Sequence, residues 1–224
     1  FCGLVLLQLT YFSIPGRAEL IRLVLAYGHV AFDDIRLSFP EYFEKKSSLD
    51  LPFGQVPTLR VNDKVTYAQS LAIARYAAKL AGLYPADALL ALEADAVVDA
   101  ILELVNVVVD AVFKTKDETL RATKFEAIND EIFPRMLQQL EARVAGPYFT
   151  GAQITFADVY LLDFFLNTLS NDSVTIRLAE YPKLQAIVDR TRALPQLQQH
   201  LTDKPPCEVG MVRSLGEKGR HGAP

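Results

Sequence analysis

The chain has 224 residues, of which 50% are hydrophobic and 22% are charged. This length is enough for one large or two small domains with a substantial core. The composition is typical of a globular protein and excludes the disordered, collagen-like and disulfide-scaffold classes. The formal net charge of −4 argues against a large basic surface for nucleic acid or for an anionic membrane.

Cysteine content and hydropathy indicate the cellular compartment in which we expect the protein. Cys2 and Cys207 lie near opposite ends, and neither has a partner at metal-ligand spacing, so we expect neither a zinc site nor a disulfide framework. The composition fits a reducing compartment such as the cytosol. The longest uncharged stretch, residues 1–16, contains polar residues and is shorter than a membrane span. It also lacks the features of a signal peptide, and we therefore expect a cytoplasmic protein without a transmembrane helix.

The beginning of the chain alternates between strand and helix patterns. Residues 4–11 are apolar on both faces, which predicts a strand covered by helices on two sides. A turn at residues 13–16 precedes a helical period over 18–27 that ends at Gly28. Residues 30–37 predict a second strand, parallel to the first through a right-handed crossover.

A loop and a hairpin complete the first domain. Residues 38–54 are polar and aromatic, and we interpret them as a surface loop in which only a short helix is plausible. Two β runs, 58–61 and 65–67, flank an Asn-Asp-Lys turn and predict a hairpin. A helical pattern over 71–80 follows and is closed by Gly82. The order β-α-β, loop, β-β-α places the first domain at residues 1–82.

Beyond a linker at residues 83–85, strand patterns nearly vanish and helical periods take over. We expect an all-helical domain at residues 83–203, and a mobile tail at 204–224 because that segment is rich in Gly and Pro and lacks periodicity. Thr155-Phe156-Ala157-Asp158 is a capping box that predicts the start of a buried helix running to Leu169. Pro134 is expected to kink the second of the long helices. The other predicted helices cover residues 88–112, 117–144, 182–194 and 196–201.

The candidate catalytic and ligand-binding residues lie at strand ends and helix starts of the first domain. Tyr11 closes the first strand just before a turn, where its phenol either bonds an anion or packs as an ordinary strand aromatic; position alone favours packing. Val56 precedes Pro57, so its extended backbone either pairs with a peptide-like ligand or simply enters a strand, and the X-Pro bond can be cis. Gln69 and Ser70 open a helix, where they either cap it or hold a carboxylate.

Three segments of the chain form a recognisable set: LTYFSIPGRAELIRLVLAY, PFGQVPTLRVNDKVTYAQSLAIARYAAKLAGL and GPYFTGAQITFADVYLLDFF. Each motif is weak alone, but their occurrence together in this order is highly specific. In these segments the chain resembles the cytosolic glutathione transferases, most closely their tyrosine-dependent, sigma-like class. The resemblance covers roughly residues 4–201 and implies a thioredoxin-like N-terminal domain, an all-helical C-terminal domain and a homodimer.

The resemblance also implies roles for individual residues. Tyr11 matches the catalytic tyrosine, whose hydroxyl donates to the sulfur of glutathione and favours its thiolate. Arg17 matches an arginine that lines the site or supports the thiolate, although its position alone fits a surface charge. Asp95 matches an acid that reaches across the dimer towards the partner's glutathione, although its spacing alone fits a solvated acidic face. The other positions matched to glutathione binding are Phe12, Gln55, Val56, Pro57 (the family's cis proline), Gln69 and Ser70.

Two features depart from the family pattern. The family presents a Trp and a Lys from the loop after the second strand to the glycyl carboxylate of glutathione, whereas this chain contains no Trp. The candidate replacements are Phe39, Tyr42 or Phe43 for the ring and Lys45 or Lys46 for the cation. Phe53 occupies the position of an aromatic that some related classes insert into the partner subunit.

The resemblance implies an enzyme that conjugates glutathione, as co-substrate and without a metal, to small hydrophobic electrophiles. We expect the electrophile pocket between Tyr11, the Ile14-Pro15 turn and the long helix near Asn106, Val107 and Asp110. Two alternatives remain. One is a non-catalytic ligand carrier or crystallin-like structural protein, and the other is a glutathione-dependent peroxidase or isomerase such as a prostaglandin synthase.

Overall fold

The computed structural model describes residues 5–203, and its first half is built around one four-stranded sheet. The strands are β1 (Leu7–Phe12), β2 (Asp33–Leu37), β3 (Thr58–Val61) and β4 (Val65–Ala68). The strand order is β2-β1-β3-β4; β2 runs parallel to β1, whereas the other neighbours are antiparallel. All four predicted strands are present, although β2 begins three residues late because the amide of Val30 still donates to Leu25 at the end of the first helix, at 2.9 Å.

Three helices accompany the sheet. A 3₁₀ turn, Gly16–Ala18, leads from β1 into the first helix, whose buried side packs against the third. The short helix in the expected surface loop begins at a capping box, in which Ser38 and Glu41 bond each other's backbone amides. These helices are α1 (Glu19–Tyr27), α2 (Phe39–Lys45) and α3 (Ser70–Leu80).

The remainder of the described chain is helical, as predicted. Within residues 5–203, no helix is both long and apolar enough to cross a membrane. A 3₁₀ turn lies at Leu178–Glu180. The helices are α4 (Ala88–Val109), α5 (Glu118–Ala127), α6 (Phe133–Arg143), α7 (Phe156–Asp163), α8 (Pro182–Arg192) and α9 (Pro195–Thr202). The expected tail at residues 204–224 lies outside the described residues.

Three of the predicted helices contain wide, π-helical turns. The predicted helix over 117–144 is a continuous helical path, but it departs from α-geometry at Ile128–Ile132. This wide turn directly precedes Pro134. Because proline has no amide hydrogen, the helical bond that residue 134 would donate to the carbonyl of Asp130 is absent, and this carbonyl lies within the wide turn. Similar turns extend α4 over Asp110–Lys114 and α7 over Phe164–Thr168.

The predicted capping box is confirmed at the start of α7, the most buried helix. The Asp158 carboxylate accepts hydrogen bonds from the backbone amides of Phe149, at 2.9 Å, and Thr155, at 2.7 Å, and from the Thr155 hydroxyl, at 3.0 Å. Asp158 has no exposed surface. Burial raises the pKa of its carboxyl to about 6, because the loss of solvation outweighs the three hydrogen bonds that favour the charged form.

The raised pKa of Asp158 predicts an unusual pH dependence of stability. An unfolded Asp titrates near pH ~4, so the folded protein binds an extra proton between about pH 4 and about 6. The contribution of Asp158 to the free energy of unfolding therefore increases as the pH falls through this window. Urea unfolding of the wild type and of Asp158→Asn at both ends of the window measures it. An identical pH dependence in the two proteins would contradict the assignment.

Candidate functional site

Tyr11 lies near the end of β1 with its phenol held against the turn that follows. The phenol oxygen accepts a hydrogen bond from the backbone amide of Arg17 at 3.1 Å. The turn comes this close because Gly16 has no side chain: a Cβ there would lie 2.6 Å from the phenol oxygen, and the backbone has a φ of +45°. Because the oxygen already accepts one bond, the phenolic proton remains available for a ligand.

The environment keeps the Tyr11 phenol protonated. Burial raises its pKa above the ordinary value, although the amide and the guanidinium of Arg17 act in the opposite direction. A phenol whose pKa is raised is neutral at physiological pH. Tyr11 is therefore a hydrogen-bond donor and not a base.

The side chain of Arg22 contacts the turn beside Tyr11. The sequence analysis did not identify this residue as part of the site. Its side chain is fully buried, donates to the carbonyl oxygen of Ile14 at 2.9 Å and forms an ion pair with Asp34 of β2 at 3.0 Å. Its guanidinium lies 5.9 Å from the centre of the Tyr11 ring. An arginine in the otherwise apolar run of α1 was the available signal, since a charge at a core position requires partners.

Arg22 also connects this turn to the C-terminal helix. Arg22 lies 3.4 Å from the buried carboxylate of Glu19, and the other oxygen of that carboxylate contacts His200 of α9 at 3.1 Å. Glu19 is 1% exposed. A chain of polar contacts thus joins the last described helix to the turn beside Tyr11.

The residues matched to peptide and carboxylate binding lie at the same edge of the sheet. Val56 precedes β3 and is not part of its ladder, and the Val56-Pro57 bond is cis, as the resemblance implies. Gln69 has a φ of +76° and occupies the N-cap position of α3, but its side chain makes no capping bond. Ser70, in the first turn of α3, borders the cavity described below. An uncapped helix N-terminus beside a hydroxyl fits a ligand carboxylate better than it fits simple capping.

An aromatic cluster forms the neighbouring wall. Phe12 stacks on Phe39 with ring centres 4.5 Å apart, and Tyr42 meets its edge at 5.0 Å. Among the candidate replacements for the missing Trp, Phe39 borders the cavity, Tyr42 is buried and Phe43 is 68% exposed. Phe39 therefore has the most suitable position.

The candidate lysines and Gln55 lie on the exposed surface. Lys45 and Lys46 do not border the cavity, and the Lys46 ammonium lies 5.8 Å from the Tyr42 ring centre. Gln55 is likewise exposed beside Val56. Their contact with glutathione remains a prediction.

A cavity of about 640 Å³ opens beside Tyr11. Its predicted position is close to the observed one, but the face of α4 is different, because Asn106, Val107 and Asp110 do not border the cavity. Asn106 accepts a hydrogen bond from the Arg17 side chain at 2.8 Å. Asp110 instead pairs with Lys124. The apolar wall contains Ile14, Leu20, Val105, Val108, Val112 and Phe113.

A second part of the cavity wall contains polar residues that the sequence interpretation missed. Tyr160, Asp163 and Asn167 border the cavity from α7 and the wide turn after it. Their spacing of three and four residues puts them on one face of a helical segment. Polar residues recurring in the run VYLLDFFLN were the signal.

The carboxylate of Asp95 forms hydrogen bonds within this chain. It accepts from Arg75 at 2.6 Å and from the Tyr84 hydroxyl at 2.9 Å. The expected contact with a partner's glutathione remains a prediction, as does insertion of Phe53, which is 67% exposed.

Comparisons with known proteins agree with this geometry. Residues 7–79 match the family model for the glutathione S-transferase N-terminal domain, and residues 103–204 match that for the C-terminal domain. The chain is 34% identical to hematopoietic prostaglandin D synthase of Gallus gallus, over 90% of this chain and 98% of that protein. It is 31% identical to glutathione S-transferase S1 of Drosophila melanogaster, over 90% of this chain and 80% of that protein. Rat hPGDS complexed with a quinoline has a similar structure, with a TM-score of 0.76 at 28% identity, over 89% of this chain and 98% of that one.

Proposed function

Because the chain belongs to the glutathione S-transferase family, we propose that it joins the sulfur of glutathione to small hydrophobic electrophiles. One observation carries this proposal: the buried phenol of Tyr11 accepts a bond from the Arg17 amide and borders a largely apolar cavity of about 640 Å³. A protonated donor beside an apolar cavity is the arrangement that thiolate chemistry on a hydrophobic partner requires.

Tyr11 supplies the activation of the thiol. A free thiol has a pKa near ~8.5, and the thiolate is the reactive nucleophile. Lowering that pKa by about 2 units requires ~3 kcal/mol of preferential stabilisation of the thiolate. A charge-assisted hydrogen bond from a buried phenol contributes about 1.5–3 kcal/mol. The nearby Arg17 guanidinium, whose charge already acts on Tyr11, favours the anion further.

The sheet edge holds the tripeptide. The Val56 backbone pairs with its cysteinyl part, because Val56 directly precedes the cis Pro57 and lies outside the β-ladder. Ser70 and the uncapped amides of α3 hold the γ-glutamyl carboxylate at the positive end of the helix dipole. Together these contacts hold the sulfur beside Tyr11. The thiolate and the electrophile then react while both are bound in position, which lowers the entropic cost of bringing them together.

Assays with the wild-type protein test the proposal directly. We expect it to be retained on immobilised glutathione and to accelerate the reaction of glutathione with chlorodinitrobenzene well above the uncatalysed rate. S-methylglutathione, which has no free thiol, is the control and should give no product. Retention without turnover would favour a ligand carrier, and folded protein that is not retained would favour a structural role.

We predict that Ser70→Ala weakens the capture of glutathione more than it slows the chemistry. The variant loses one hydrogen bond to a charged carboxylate, about 1.5 kcal/mol, so KM for glutathione should rise about tenfold with kcat little changed. Steady-state kinetics at varied glutathione measures both constants. Ser173→Ala, an exposed serine of the helical part, is the matched control. A fall in kcat at unchanged KM would contradict the role given to Ser70.

A second candidate activity is isomerisation of a prostaglandin endoperoxide, suggested by the relative named hematopoietic prostaglandin D synthase. The same thiolate would attack one peroxide oxygen, and the O–O bond would break with the other oxygen leaving as a hydroxyl after protonation. Loss of a proton from the adjacent carbon would then form a carbonyl and break the S–O bond, which regenerates glutathione. Measuring the consumption of glutathione separates the two activities, because conjugation uses one glutathione for each product and isomerisation uses none.

We further propose that residues 1–82 and 83–203 act as two domains of a homodimer. The exposed Phe53 ring supports this assembly. Analytical ultracentrifugation should give twice the mass of one chain; a monomer at micromolar concentration would contradict it.

A further inference from the structure

A second tyrosine, Tyr160, borders the electrophile cavity from α7. It is 7% exposed. Among the described residues 5–203, its hydroxyl has no hydrogen-bond partner. The hydroxyl of a buried tyrosine usually has a partner, because burial without one costs free energy. The Tyr160 hydroxyl is therefore available to a ligand that enters the cavity.

The Tyr160 phenol is a hydrogen-bond donor at physiological pH. Burial raises its pKa well above the ordinary value of a tyrosine; the charges of Asp163 and Asp99 act in the same direction, and that of Arg17 opposes them. A phenol with a raised pKa does not ionise near neutral pH. It therefore keeps the proton that it can donate to a substrate oxygen.

Arg17 relates the position of Tyr160 to that of Tyr11. Its backbone amide donates to the Tyr11 phenol oxygen at 3.1 Å. The charge of its guanidinium acts on the phenols of both tyrosines, and the influence of a charge decreases with distance. Both phenols therefore lie near Arg17, at the border of the same cavity. Tyr11 is assigned to the sulfur of glutathione, which leaves Tyr160 as a donor for the electrophile.

We propose that Tyr160 is a specificity-determining residue that donates a hydrogen bond to an oxygen of the electrophile. It favours electrophiles in which this oxygen gains negative charge as the sulfur attacks, such as α,β-unsaturated ketones. The proposal rests on the proposed glutathione transfer and adds a substrate class to it.

The reaction of such a ketone shows where the hydrogen bond acts. The thiolate forms a carbon–sulfur bond at the β-carbon, and the π electrons of the carbon–carbon double bond move so that the carbonyl oxygen carries the negative charge. The α-carbon then takes a proton from solvent. A hydrogen bond from a neutral phenol stabilises the oxygen most strongly while it carries this charge, and therefore accelerates the addition.

Two electrophiles that differ in where the charge moves test the proposal. With 4-phenylbut-3-en-2-one the charge moves to a carbonyl oxygen. Benzyl chloride has no oxygen: the sulfur forms a bond to carbon, the carbon–chlorine bond breaks, and chloride leaves with the electron pair on the side opposite the sulfur. Dividing kcat/KM for the ketone by kcat/KM for benzyl chloride removes any effect on the thiolate that the two reactions share.

Tyr160→Phe, which keeps the ring and removes only the hydroxyl, should lower this ratio by about tenfold or more. KM for glutathione should not change, because Tyr160 is not assigned to the tripeptide. The midpoint of urea unfolding should equal that of the wild type or exceed it, since the hydroxyl has no partner among the described residues. Tyr181→Phe is the matched control: Tyr181 is also 7% exposed but does not border the cavity, so the ratio should stay the same.

The outcomes separate this proposal from the proposed function. An unchanged ratio in Tyr160→Phe, or an equal fall in Tyr181→Phe, would overturn the role of Tyr160. A lower unfolding midpoint in Tyr160→Phe would show that the hydroxyl has a structural partner, and would overturn it as well. In these cases turnover of chlorodinitrobenzene by the wild type would leave glutathione transfer standing, whereas its absence together with no turnover of the ketone would overturn both.

Discussion

Tyr11→Phe is expected to lower kcat/KM for conjugation by about 25-fold at pH 7, while leaving the fold and glutathione retention intact. The substitution removes the phenolic oxygen that accepts from the Arg17 amide and whose proton remains available to the sulfur. Losing ~3 kcal/mol of thiolate stabilisation raises the pKa of the bound thiol by about 2 units and reduces the fraction of thiolate accordingly. The ring of Tyr11 is buried and its packing is retained by Phe, so stability should change little.

The pH profile distinguishes this mechanism from a general loss of structure. If Tyr11 acts on the thiol, the rising limb of kcat/KM in the variant should move to higher pH, and activity should recover in part above pH ~9. The ultraviolet absorbance of the bound thiolate, followed against pH, measures the same shift. Tyr181→Phe, a buried tyrosine that does not border the cavity, is the matched control. Turnover of Tyr11→Phe equal to that of the wild type would remove Tyr11 from the mechanism.

Asp158→Ala is expected to lower the free energy of unfolding by about 3 kcal/mol, the largest effect on stability that we predict. The change removes the acceptor of the buried backbone amides of Phe149 and Thr155. It also opens the N-terminus of α7, every residue of which is buried. Amides that lose their partner in the core have no water to replace it, and each costs about 1–3 kcal/mol.

Urea unfolding followed by circular dichroism measures the loss in Asp158→Ala. Asp158→Asn, which keeps one carbonyl oxygen as an acceptor, should lose less. The remaining folded fraction of Asp158→Ala should conjugate at the wild-type rate per folded molecule at low temperature, because Asp158 does not border the cavity. An unfolding midpoint equal to that of the wild type would show that the capping box contributes nothing to stability.

Local signals in the sequence were sufficient for most of the fold. The Asn-Asp-Lys turn predicted the β3-β4 hairpin, and Asn62 and Asp63 have the positive φ values that such a turn requires. The box at Thr155 and Asp158 predicted the start of α7 because both halves of the motif lie within four residues. Tyr11 was located correctly at the sheet edge, but the residues alone favoured ordinary packing, and the resemblance was needed to assign it a role.

The features that the sequence did not predict depend on contacts between distant segments. Arg22 is part of a helical run, and its contacts with Asp34 and Ile14 arise only when β2 and the turn pack around it. Asp163 was not predicted to border the cavity, because it lies in a helix that was expected to be buried throughout. Its access to the cavity depends on the wide turn that follows. The wide turns that extend α4 and α7 have no local signature comparable to a cap or a proline.

The contact between His200 and Glu19 matters for protein engineering. Through Glu19 and Arg22 it makes the end of the helical half a structural support of the turn beside Tyr11. A chimera that grafts the first 82 residues onto the helical half of another transferase would therefore lose this support unless the graft supplied an equivalent of His200. Exchange of halves between such proteins has to preserve both sides of this contact.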